Sequence, residues 1–201
     1  LDGIAKEAVT AVMLANADRA IAMFTFSDQL REDARALVDS LRQMGKSIVL
    51  MTGDRAASAA QVAVETGIDD FRAQMSPLEK MEAVEALQVD GARVLMVGDG
   101  INDAPVLARA DVSIAMGGAS SLAKTSADIV LIANQLQAVA DVIGMSRRTQ
   151  SVIRQNMLWA LMYNFGAIPA AALGLVAPWL AAIGMSVSSL IVVLNAMRLT
   201  R

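Results

Sequence analysis

The chain of 201 residues has no cysteine and no histidine. Without cysteine there is no disulfide framework and no thiolate metal site. Without histidine, the usual general base and the commonest zinc ligand are both missing. Any metal held by this sequence must use oxygen or methionine sulfur. A surplus of positive charge is lacking too: the net charge is −3, which gives no bulk basic field for nucleic acid. Leu1-Asp2-Gly3 shows neither an initiator methionine nor a signal-peptide pattern, so the sequence is expected to start inside a longer one. The apolar fraction, 55%, is high, and the excess gathers near the C-terminus.

Against those absences stands Met96-Val97-Gly98-Asp99-Gly100-Ile101-Asn102-Asp103-Ala104-Pro105. The apolar run Val94–Val97 before it reads as a buried parallel strand, and Val106-Leu107-Ala108 after it as a helix start. Strand, glycine turn and helix together place two carboxylates at the carboxyl edge of a sheet, where open α/β folds put their ligands. Gly98 and Gly100 allow a tight turn, and Asp99 and Asp103 are hard oxygen ligands suited to magnesium.

Residues 1–14 alternate poorly and give no assignment. Ala20–Phe26 reads as a strand. Asp28 is expected to cap a helix over Arg31–Met44, whose Ala34, Leu37, Val38 and Leu41 fall at helical spacing. Gly45 ends that helix. Ser47–Met51 reads as a second strand running into Thr52-Gly53-Asp54, and Ala56–Thr66 as a helix closed by Gly67. Ser76-Pro77-Leu78-Glu79 is a helix N-terminus with Ser76 as cap and Glu79 as its reciprocal partner. Lys80, a cation in a first turn, opposes the helix dipole and calls for a local anion. Val112–Ala115 and Ile129–Ile132 read as further strands, with Met116-Gly117-Gly118 a turn between them. Strands alternating with helices predict a parallel, doubly covered sheet.

Thr52, Lys80 and Asp99 thus follow three separate element ends. Phosphoryl transfer needs donors and cations around the moving group and magnesium on its oxygens. Thr52 offers a hydroxyl, Gly53 an N–H, Lys80 a charge and Asp99 a carboxylate. Each alone has a plain structural explanation, a cap or a solvated lysine; their combination and order favour chemistry. The strings Thr52-Gly53-Asp54, Pro77-x-x-Lys80 and Asp99 to Pro105 closely resemble three of the four catalytic motifs of P-type cation-transporting ATPases, haloacid-dehalogenase-like phosphotransferases. The resemblance implies catalytic roles for Thr52, Gly53, Asp54, Lys80, Asp99, Asn102 and Asp103, with magnesium on Asp99 and Asp103. The fourth motif, Asp-Lys-Thr-Gly-Thr with the nucleophile, does not occur in the sequence. Asp28 ends an early strand, but Gln29-Leu30-Arg31 offers no threonine or second acid to position a phosphate, and Asp28 reads as structural.

Between Arg154 and Arg198 no charged residue occurs, a run long enough for two spans of about 20 residues each. Gly174 and Pro178 mark a reversal, which places helices at roughly 155–173 and 178–197. Arginine on both outer flanks puts those flanks in the cytoplasm. Trp159 and Trp179 read as interface anchors in this scheme, with a core position the alternative for Trp159. Tyr163-Asn164 and Met185-x-x-Ser188-Ser189 are polar or soft groups within the spans, and polar groups there are costly unless paired. A thioether beside hydroxyls, an amide and a phenol suits a soft monovalent ion; close helix packing explains the same residues. These strings, with Asn195-Ala196-Met197-Arg198-Leu199, resemble the last two helices of copper(I)-transporting members. Zinc- and cadmium-type members carry a lysine and an aspartate in those helices, and neither is present here. Ala177–Ser186 further resembles the subgroup that matures cbb-type haem-copper oxidases.

The expected fold is therefore α/β: a partial Rossmann-like, haloacid-dehalogenase-like parallel sheet followed by a transmembrane α-helical hairpin. Residues 1–19 would be a linker or the tail of an upstream nucleotide-binding domain. Residues 20–133 would be part of a phosphorylation domain, 134–154 a connecting helix and 155–201 the two spans. The resemblance implies Mg2+ and ATP, the latter bound mainly upstream, transported Cu+ along Tyr163, Asn164, Met185, Ser188 and Ser189, and a bacterial inner-membrane location. Its partners would be the N-terminal remainder of the transporter, the lipid bilayer, and a copper chaperone or oxidase assembly factor, with no nucleic acid. A membrane-anchored phosphatase using Asp28 and an inactive magnesium- and phosphate-binding remnant remain as alternatives.

Overall fold

The computed structural model describes residues 10–16, 19–26, 29–99, 101–133 and 135–200. Asp28 and Gly100 lie outside them, so the Asp28 cap and the second glycine of the acidic turn have no structural account. The chain divides into two compact units, residues 1–140 and 141–201.

The first unit alternates strands and helices as their apolar spacing dictates. Its strands are β1 (Thr10–Ala15), β2 (Ala20–Phe26), β3 (Val49–Met51), β4 (Asp70–Arg72), β5 (Leu95–Gly98), β6 (Val112–Ala115) and β7 (Ile129–Val130). Its helices are α1 (Ala34–Gln43), α2 (Ala56–Thr66), α3 (Pro77–Val89), α4 (Ala104–Arg109) and α5 (Ser121–Ser126). Among the described residues the strands form three sheets. β1 and β2 make an antiparallel hairpin; β3 pairs β4, and β5, β6 and β7 pair in that order, all parallel. The parallel pairing matches the sequence expectation, but as two sheets. The hairpin was not expected, and it joins residues on either side of position 19.

Several boundaries also move. The first helix begins at Ala34 instead of Arg31, with Asp33 at the N-cap position, and β7 ends at Val130 instead of Ile132. The α3 terminus forms as the sequence predicts. Glu79 N–H donates to Ser76 Oγ (3.3 Å), and Ser76 N–H donates to Glu79 Oε2 (2.7 Å). Those bonds from Ser76 hold the Glu79 carboxyl below its ordinary pKa.

The core lies under the β5–β7 sheet, where Val106, Leu107 and Ile114 are buried and Leu107 packs with Ala115, Ala119 and Ala123. Asp111 ties this sheet to α3. Its carboxylate accepts from Val94 N–H (2.9 Å), Gln88 Nε2 (3.0 Å) and Arg93 Nη1 (2.9 Å), and these bonds, the backbone one foremost, pull its pKa down to about 2. Asp128 does the same between β6 and β7: it accepts from Ser113 Oγ and Ser113 N–H, both at 2.8 Å, which lowers its pKa.

Helix α6 (Gln137–Ala172) is one continuous element with Pro169 inside it, where a connecting helix and a separate span had been expected. Its first turn is capped from far away in sequence: Asp33 Oδ2 accepts from Leu136 N–H (2.6 Å) and Gln137 N–H (3.4 Å).

In the second unit α6 reverses at Gly174 and is followed by α7 (Pro178–Ala196) and a short 3-10 turn. Pro178–Leu199 is the one helical stretch among the described residues that is long and apolar enough to cross a membrane. The part of α6 beyond Arg154 does not meet that measure, because Gln155, Asn156, Tyr163 and Asn164 dilute its apolar residues.

Candidate functional site

Each candidate group sits where a strand gives way to a loop or a helix begins. Thr52 follows β3. Its N–H donates to Arg72 O (2.9 Å) and its carbonyl accepts from Met75 N–H (2.9 Å), so the loop after β3 is laced to the loop after β4. Gln74 N–H donates to Asp54 O (2.8 Å) and continues the lacing. Within the turn, Thr52 Oγ1 donates to Asp54 Oδ2 (2.8 Å) and accepts from Asp54 N–H (3.0 Å). Asp54 thereby fixes the hydroxyl, while Gly53 and Asp54 stay exposed.

Lys80, in the first turn of α3, meets the anion that its position calls for. Its Nζ donates to Asp103 Oδ1 at 2.8 Å, and the two side chains are only 12% and 17% exposed. Asp103 closes the 3-10 turn Ile101–Asp103 and precedes α4, where it makes no cap of its own. It approaches β5 closely: a Cβ on Gly98 would lie 3.1 Å from Asp103 Cβ and 3.3 Å from its Oδ2. Gly98 therefore makes room for the acid, and a side chain there would displace it.

Asp99 extends from the end of β5 and is exposed, as is Asn102. Its carbonyl accepts from Ser120 N–H (3.0 Å), which anchors the acidic turn to the N-terminus of α5. Magnesium takes one or two protein carboxylates and completes its shell with water and phosphate oxygens. Asp99 fits that requirement. Asp103 is first of all the counter-ion of Lys80, a division of labour that the sequence did not separate. Among the described residues no group of three acids could hold a metal alone.

The five residues expected along an ion path fall into two sets. Tyr163 and Ser188 face the contact between α6 and α7: Trp159 Nε1 donates to Ser188 Oγ (3.1 Å), and a Cβ on Gly184 would lie 2.6 Å from the Tyr163 hydroxyl. Asn164, Met185 and Ser189 are exposed. The same contact continues through amides that sequence reasoning missed. Asn195 Nδ2 donates to Asn156 Oδ1 (2.9 Å) and Gln155 Oε1 (3.2 Å), and Asn156 Nδ2 to Val192 O (3.4 Å). Trp159, read from sequence as an interface anchor or a core residue, spends its N–H on this seam. Asn156 and Asn195 lie 39 positions apart, beyond any spacing rule.

A laced threonine loop and an acidic turn follow the carboxyl ends of parallel strands, and the Lys80–Asp103 pair joins the acidic turn to the start of α3. The chain belongs to the haloacid dehalogenase-like hydrolase family, whose model matches residues 1–111. It is 44% identical over 191 residues to a copper-exporting P-type ATPase of Bacillus subtilis, covering 94% of this chain and 24% of that protein. It is 41% identical to a probable copper-importing P-type ATPase A of Enterococcus hirae, covering 96% and 27%. Among solved structures, a zinc-transporting PIB-type ATPase in its E2.Pi state superposes with a TM-score of 0.87 at 34% identity, covering all of this chain and 33% of the other. The catalytic CPx-ATPase domain CopB-B matches 63% of this chain and 51% of its own, with a TM-score of 0.57 at 33% identity. The chain thus spans about a quarter of the length of the curated relatives it matches.

Proposed function

We propose that this chain is the C-terminal part of an ATP-driven heavy-metal transporter that exports Cu(I) across a bacterial inner membrane. The observation that carries the reading is the coexistence, in one chain, of the Thr52, Lys80–Asp103 and Asp99 groups with a helix pair that bears soft and neutral donors and of which α7 is apolar enough to cross a membrane. The copper-exporting relative extends the likeness across both.

In this reading the nucleophilic aspartate and most of the ATP site belong to an upstream segment. β5 is one of the two edge strands of its sheet among the described residues, so a further parallel strand could pair there and bring that aspartate beside Asp99. Thr52 and the Gly53 N–H would then orient phosphoryl oxygens, with Asp54 holding the hydroxyl in place. Lys80 would supply positive charge, its position fixed by Asp103. Asp99 would hold magnesium, which when bound neutralises charge on the transferring group. Residues 155–173 and 178–197 would both lie in the bilayer, α6 shielding its amides against α7. The exposed trio Asn164, Met185 and Ser189 would be the cargo donors. The absence of acid and lysine between positions 155 and 197 favours a soft monovalent cargo over zinc. The Ala177–Ser186 string supports a role in oxidase copper delivery, with a chaperone or assembly factor as partner.

The test is to join the chain to an upstream segment with the acceptor aspartate and measure metal-stimulated ATP hydrolysis in lipid. Stimulation by Cu(I) and not Zn(II), abolished by Asp99→Asn, is the expected result. Stimulation by Zn(II) alone would overturn the cargo assignment. Hydrolysis indifferent to Asp99→Asn would overturn the role of the acidic turn.

A further inference from the structure

Asp33 stands at the N-cap position of α1, yet its side chain makes no capping bond to that helix. Its Oδ2 accepts instead from Leu136 N–H (2.6 Å) and Gln137 N–H (3.4 Å). These are donors that the start of α6 cannot satisfy from within its own ladder. A second contact follows two turns along α1, where Ser40 Oγ accepts from Gln137 Nε2 (3.3 Å). Asp33, Leu37 and Ser40 recur at helical spacing and share one stripe of α1, and Leu37 between the two polar contacts is buried. The beginning of α6 is thus tied to α1 at two points about 10 Å apart along that helix.

The tie is not saturated. Gln137 Oε1 is buried and has no hydrogen-bond partner among the described residues. Leu136, with Ala34 and Val62, borders an open hollow of about 260 Å3. A buried acceptor left unpaired favours any arrangement in which it meets water, and the hollow leaves room for such a shift. The two bonds to Asp33 oppose it.

Helix α6 begins inside the first compact unit and runs without a break into the second. We propose that Asp33 is a positioning residue for coupling: its bonds to the first turn of α6 make α1 the handle through which movement of the first unit reaches that helix. The connecting peptide 131–136 alone does not suffice. The joint has two arrangements, closed as seen and open with the Gln137 amide hydrated. In the closed one α6 follows α1; in the open one α1 moves and α6 stays. The functional half of this inference rests on the transporter reading, whereas the clasp itself stands on the hydrogen bonds.

The test uses the complete transporter in lipid nanodiscs, with ATP hydrolysis measured without metal and with Cu(I) or Zn(II), whichever stimulates the wild type. At a helix start asparagine accepts as well as aspartate does, and alanine does not accept at all. Both substitutions remove the charge, so the difference between Asp33→Asn and Asp33→Ala isolates the hydrogen bonds. Asp33→Ala should hold its metal-free rate while the fold-stimulation by metal drops by at least about half, because a lost cap shifts the clasp toward open about fivefold. Asp33→Asn should keep both. Wild-type stimulation in Asp33→Ala would mean that the connecting peptide suffices, and would overturn the inference. So would a proportional fall of both rates, which marks a residue that only holds the fold, or an Asp33→Asn variant as damaged as Asp33→Ala. If neither metal stimulates the wild type, the transport reading fails by itself. The clasp is then judged on hydrogen exchange of the same proteins. Amides 136–140 must exchange about fivefold faster in Asp33→Ala than in Asp33→Asn, with those of β6 unchanged, and equal exchange in the two variants would overturn it.

Discussion

Lys80 Nζ lies 2.8 Å from Asp103 Oδ1, joining the first turn of α3 to the acidic turn after β5 across 23 residues of sequence. Both side chains are largely withdrawn from solvent. Removing either partner strands a partly buried charge, which costs more than the pair itself contributes. Lys80→Met should destabilise the fold by about 1–3 kcal/mol, and Asp103→Leu should do the same. The double variant should recover part of the loss, as a coupled pair requires. Urea unfolding followed by circular dichroism measures all three. Losses that simply add would show the contact to be energetically idle.

Asp111 predicts an acid limb in stability. Its pKa in the folded chain is about 2, below the ordinary carboxylate value of about 3.9 in the unfolded chain. Its contribution is therefore complete above about pH 4 and is lost as pH falls toward 2. Asp128 and Glu79, also lowered, act with the same sign. In Asp111→Asn the unfolding midpoint should fall less steeply over that window than in the wild type. An unchanged slope would remove Asp111 as a source of acid sensitivity.

The Ser76–Glu79 capping box predicts a local effect. Ser76→Ala removes the acceptor for Glu79 N–H and should cost about 1 kcal/mol. Hydrogen exchange at the first-turn amides of α3 should quicken, while amides in β6 remain protected. Equal acceleration in both would mean that the cap acts on the whole unit.

The amide seam predicts a modest cost within the helix pair. Asn195→Val loses the bonds to Asn156 and Gln155, and interhelical bonds of this kind contribute about 0.6–1.7 kcal/mol in membranes. Unfolding of the chain in lipid micelles should show a loss in that range. No loss would indicate that the freed amides find other partners.

The sequence was most informative where structure is local. The Ser76-Pro77-Leu78-Glu79 cap, the strand before Gly98 and the reversal at Gly174 each follow from neighbours within a few residues. β1 escaped notice because Thr10–Ala15 is held by pairing with β2, not by a pattern of its own. β4 is three residues, Asp70-Phe71-Arg72, two of them charged, and only its register beside β3 makes it a strand. For the site, the need of Lys80 for an anion was legible in its place at a helix start. That the anion is Asp103, and that Asp99 is thereby the exposed carboxylate, depends on how α3 meets the turn after β5. No spacing rule encodes such a meeting, nor that of Tyr163 with Gly184.

The bonds from Leu136 and Gln137 to Asp33 carry a consequence for synthesis. On a ribosome, α1 and its carboxylate emerge about a hundred residues ahead of the long helix they cap. The acceptor is in place before the helix that needs it has been made.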